Sequence, residues 1–106
     1  MKIQFNTDKT ISGDEKSQDY FTTHIAEKLS RFDSHITRIE VHLSDENGNK
    51  KGVNDIQCLM EARMESRQPI AVSSQAGTAE AAVSGAIDKL KASLDTIIGR
   101  IQSQDK

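Results

Sequence analysis

The sequence predicts an α+β fold: a two-layer sandwich in the order β-α-β-β-β-α, with a four-stranded sheet and two helices packed on one face. Three observations predict it. Two stretches place apolar residues at helical spacing, one ahead of and one behind a central block. The central block alternates apolar and polar residues, so its strands each have one wet face. Two helices must then cover the same side of a single sheet. The 106 residues suit one domain spanning 1–106. Folding at that size buries roughly 60 to 70% of the unfolded surface, enough for a core without disulfides or metal.

The first element is KIQFN, residues 2–6, where Ile3 and Phe5 point one way and predict a short half-buried strand. A loop follows, and its Ser12-Gly13-Asp14 supplies a helix N-cap. Phe21, Ile25, Leu29 and Phe32 are spaced four, four and three apart, which predicts a helix over residues 15–32. TRIEVHLS, residues 37–44, sends Ile39, Val41 and Leu43 inward and Arg38, Glu40 and His42 outward. The turn DENGNKKG leads to a second alternating run in which Ile56, Cys58, Met60, Ala62 and Met64 share a face, with Leu59 out of pattern. Pro69 opens a last strand over 70–75, where a missing N–H matters least. Thr78 caps the final helix, whose buried side runs from Ala79 through Ala82, Val83, Ala86, Ile87, Leu90, Leu94, Ile97 and Ile98 to Ile101.

Composition narrows the chemistry. The formal net charge is −2, so the molecule as a whole does not attract nucleic acid or anionic lipid, and such a role needs a local basic patch. No stretch approaches the roughly 20 apolar residues of a membrane span, and no signal peptide is read, which predicts a cytosolic protein. The lone Cys58 reads as a small core residue. His24, His35 and His42 have no ligand spacing. The loop beginning at Asp45 fails as a calcium site, having Lys50 where glycine is needed and Ile56 where a glutamate is needed. No nucleophile elbow or phosphate loop occurs. The expectation is a protein that is not an enzyme and takes no cofactor, metal or small-molecule substrate.

The charged faces remain. Lys28 and Arg31 are neighbours on the first helix, with Glu27 able to pair with Arg31 at i, i+4. On the last helix Lys91 has Asp88 and Asp95 within pairing distance in sequence and reads as an internally neutralised charge. Position 100 falls about 20° round the axis from position 89 and about 16 Å along it. Lys89, Ser93, Thr96 and Arg100 therefore make a polar stripe with a cation at each end and no acid.

With HIAEKLSRF in the first helix and AVSGAIDKLKASLDTI in the last, the chain resembles the ribosome hibernation-promoting factor family, also called ribosome-associated inhibitors or sigma-54 modulation proteins, in its short form. The resemblance spans nearly the whole chain. It implies the β-α-β-β-β-α fold and a non-catalytic module that binds 16S ribosomal RNA of the small subunit, in the channel used by messenger and transfer RNA, and silences translation by occlusion. It implies that Lys28, Arg31, Lys89 and Arg100 touch RNA phosphates. The expected state is a monomer or weak dimer. Four such contacts give a salt slope of at most about −3 to −4 in log K against log salt. The alternative is a protein-interaction module on the same fold that has lost ribosome binding. Its working surface is the outer sheet face with Arg38, Glu40, His42, Glu61 and Arg63.

Overall fold

The computed structural model describes residues 1–7, 15–45, 56–65 and 67–104, with side chains for 1–7, 18–45, 56–65 and 67–99. The elements are β1 (Lys2–Thr7), α1 (Glu15–Lys28), β2 (Arg38–Asp45), β3 (Ile56–Arg63), β4 (Ile70–Ala76) and α2 (Ala79–Gln104). The predicted capping loop at Ser12-Gly13-Asp14 and the turn holding Asn47-Gly48 lie outside the described residues.

The sheet runs β1-β2-β3-β4 in space. β1 pairs parallel to β2, so α1 serves as the crossover between them. The pairs β2–β3 and β3–β4 are antiparallel. The register aligns the apolar residues in rows across the sheet. Ile3, Ile39, Ala62 and Ile70 form one row, and Phe5, Val41, Met60 and Val72 the next. These inward rows meet α1 beside β1, and α2 above β3 and β4. Ile25, Leu29, Ile87, Leu90 and Leu94 close the core from the helical side, none more than 1% exposed. A one-residue slip of any strand would turn its apolar set to water, so burial fixes the register.

The first helix differs from its sequence pattern. The α-helical span stops at Lys28, and Ser30–Phe32 continues as a 3₁₀ turn. Leu29 N–H makes an α-helical bond back to Ile25 O at 3.0 Å, whereas Phe32 N–H bonds only three back, to Leu29 O. In a 3₁₀ turn residues i and i+3 eclipse, so Leu29 and Phe32 still share the buried side. The tighter winding turns the chain towards β2, while the apolar spacing that predicted a longer helix is kept.

The second helix begins as its sequence suggests. Thr78 Oγ1 accepts from Ala81 N–H at 3.1 Å, filling one of the open donors of the first turn. Gly85 of α2 lies directly over Ser74 of β4. A β-carbon there would collide with Ser74 Oγ and lie 3.2 Å from Ser74 Cβ, so glycine sets the height of α2 over β4.

Candidate nucleic-acid interface

Among the described residues, the helical layer and the outer sheet face both carry charge. On the outer face, register places Arg38 opposite Arg63 and Glu40 opposite Glu61. Like charges directly opposite one another destabilise a sheet. Two pairs along the strands and one diagonal resolve this. Glu40 lies 3.0 Å from Arg38 and 3.6 Å from Arg63, and Arg63 lies 3.0 Å from Glu61. Four of the five residues expected to form a working surface there are occupied with one another.

The helical layer is arranged differently. Lys28 is exposed at the last residue of α1, where a cation complements the helix dipole. It shares a cavity of about 250 Å³ with His24 of α1 and with Ser84, Ile87, Asp88 and Lys91 of α2. Lys28 and Lys91 thus face a common groove between the helices. No ion pair joins Lys91 to Asp88 or Asp95 among the described residues. Lys91 is the cation that sequence reasoning discounted. The signal that could have found it is its helical phase, one turn on from Asp88 and flanking the buried stripe.

Arg31 has left the α-helical register with Glu27, because the helix tightens between them. Its Nη2 instead donates to both carboxylate oxygens of Asp95 on α2, at 2.8 and 2.7 Å. Its guanidinium also lies 4.6 Å from the centre of the Phe32 ring. Both partners are more than half exposed, so the pair ties the helices together at modest energy.

Lys89 projects to the other flank of α2. Its Nζ donates to the backbone oxygen of Ser73 on β4 at 2.7 Å. Residues two apart on a helix point about 160° away from each other, so Lys89 and Lys91 cannot line the same groove. Arg100 belongs to α2; its side chain is outside the described residues. The structure therefore brings Lys28 and Arg31 to the side of α2 that faces α1, and Lys89 to the side that faces the edge of the sheet.

Cys58 is fully covered, and burial pushes its thiol up to about 12, so it stays protonated at neutral pH. Among the described residues no group of three or more His, Cys, Asp or Glu is placed to hold a metal ion. Among them too, no helix is long and apolar enough to cross a membrane.

Comparison with known proteins bears on this arrangement. The N-terminal domain of Protein Y from Thermus thermophilus superposes with a TM-score of 0.67 at 18% identity, covering 92% of this chain and 99% of that one. A ribosomal subunit interface protein from Coxiella burnetii gives a TM-score of 0.73 at 13% identity, covering 93% and 99%. At such identities the likeness shows a shared α+β fold. No curated protein sequence matches the chain. The family described as Sigma 54 modulation protein / S30EA ribosomal protein matches residues 6–102. That match takes in both helices and nearly all of the sheet, and the chain accordingly belongs to the sigma 54 modulation protein / S30EA ribosomal protein family.

Proposed function

We propose that this protein is a cytoplasmic, ribosome-associated translation inhibitor, which binds small-subunit ribosomal RNA in the messenger–transfer RNA channel and acts by occlusion rather than catalysis. The observation that carries the reading is the family match over residues 6–102. The groove between α1 and α2 supports it, because Lys28 and Lys91 open onto the helical face from opposite walls. Phosphates enter that groove, Arg31 stands in reserve beside it in its pair with Asp95, and Lys89 and Arg100 serve a second backbone segment along the other flank of α2. The overall acidity of the chain makes this local clustering necessary. Contacts of this number leave affinity dependent on shape fit within a structured RNA.

The test is co-sedimentation with 30S and 70S particles between about 50 and 200 mM salt, with transfer RNA as competitor. Wild-type protein is expected to pellet at low salt and to be displaced by transfer RNA, and the double variant Lys28→Glu, Lys91→Glu to stay in the supernatant. Failure of the wild type to pellet at the lowest salt would sink the proposal. The outer sheet face has less in its favour as an interface, since its arginines and glutamates already pair with one another.

A further inference from the structure

Among the described residues Tyr20 is the more exposed of two large apolar side chains on the surface, at 54%. It is not loosely held. Its ring meets the edge of Phe21 with centroids 5.3 Å apart, and Phe21 in turn stacks on Phe5 of β1 at 5.6 Å and 8°. One turn along α1, the imidazole of His24 lies parallel to the tyrosine ring within 1°, with centroids 6.1 Å apart. The surface end of this aromatic run is therefore a braced pair of parallel π-faces. The core end fixes its position, which lowers the entropy that a partner must overcome to use it.

The surroundings say what the partner is. Tyr20 and His24 line a shallow depression of about 410 Å³ together with Asp19, Thr23 and Glu27. Two carboxylates make this a poor place for a phosphate. They make it a good place for a planar group that offers N–H donors, because carboxylates accept from the amino and imino edges of bases. His24 also lines the groove that holds Lys28 and Lys91, so the aromatic pair adjoins the cations. Along the axis Tyr20 and Lys28 are separated by about 12 Å. A strand whose backbone follows the groove thus presents a splayed base at the rings.

We propose that Tyr20 and His24 form a stacking platform for one unpaired base of the bound RNA, with Asp19 and Glu27 favouring a base rich in N–H donors, guanine over uracil. Guanine offers adjacent N1–H and N2–H donors to one carboxylate, whereas the single N–H of uracil lies between two carbonyl oxygens. The inference rests on the RNA-binding reading and names what the exposed end of α1 adds to it: base contact beside phosphate contact, the usual division between specificity and positioning.

The chain has one tyrosine and no tryptophan, so its intrinsic emission reports on Tyr20 alone. We would titrate the full chain with short single-stranded RNA oligonucleotides. A guanine-containing strand is expected to quench that emission saturably, all-uridine RNA more weakly, and the same guanine-containing strand locked in a duplex not at all. With labelled RNA, Tyr20→Ala should weaken binding about tenfold or more, the usual effect of removing a stacking ring, while Tyr20→Phe should bind like wild type. His24→Ala provides a second variant that keeps the tyrosine reporter. Unchanged emission, with Tyr20→Ala binding oligonucleotide and ribosomes like wild type, would overturn the stacking site and leave the ribosome reading standing. Equal affinity for guanine-containing and all-uridine strands would overturn the role given to Asp19 and Glu27. A wild type that binds neither ribosomes nor oligonucleotide would overturn both readings.

Discussion

Cys58 sits in an inward row of the sheet between Leu43 and Ser74. Its alternation with Gln57 and Leu59 was enough to predict burial, and its inertness follows from that. Burial raises the thiol above its ordinary 9.0 to about 12, so the unfolded chain loses the proton first as pH climbs. The stabilisation is whole below about pH 9 and is lost as pH rises towards about 12. We expect the urea midpoint of wild type to fall faster across that window than that of Cys58→Ala. We also expect a thiol reagent at neutral pH to react no faster than the chain unfolds; rapid labelling would refute the burial. Gly85 shows the opposite degree of legibility. Nothing in AVSGAIDK marks it as a point of contact, since only the fold brings Ser74 beneath it. Alanine normally stabilises a helix interior by about 1 kcal/mol over glycine. Here we expect Gly85→Ala to destabilise by about 1 kcal/mol net, the overpacking cost exceeding the propensity gain, and the loss to shrink in a Ser74→Ala background. Thermal melts of the single and double variants measure it.

The helices show where sequence periodicity is informative and where it stops. The stripe Phe21, Ile25, Leu29, Phe32 located α1 and its buried side, and the α2 stripe held from Ala82 to Ile98. The end of α1 was misplaced by one turn because a 3₁₀ turn preserves i, i+3 neighbours. That small difference rewires the charges: Arg31 leaves Glu27 and finds Asp95, 64 positions away in sequence. No rule of local spacing predicts such a partner. Asp95 then holds in place a cation that, under the proposed function, RNA would otherwise recruit. We expect Asp95→Asn to free Arg31 and steepen the salt slope of ribosome binding by about 0.7 to 0.9, the increment of one more phosphate contact. The cost in stability should stay below about 1 kcal/mol, as for exposed pairs generally. An unchanged slope would show that Arg31 takes no part.

For the molecule as a whole, element order and the single-sided helical layer were readable, because alternation and helical spacing are both one-dimensional signals. The pairing of flanks was not. Lys89 and Lys91 look interchangeable along the chain, and which of them faces α1 depends on how α2 lies across β3 and β4. Lys89 of the predicted stripe accordingly belongs to a different side of α2 from the groove of Lys28 and Lys91.

The Lys89–Ser73 contact has a consequence for any experiment on this surface. β4 is a border strand of seven residues, IAVSSQA, without a charge of its own. Uncharged borders invite strand addition from a neighbouring molecule, and a lysine is a common deterrent. Lys89→Ala therefore removes a gatekeeper as well as a cation. We expect its mass by light scattering to rise with concentration while Lys89→Arg remains like wild type. A fall in ribosome occupancy caused by that alanine would in part report sheets zipping together in solution, and only the arginine variant separates loss of charge from gain of stickiness.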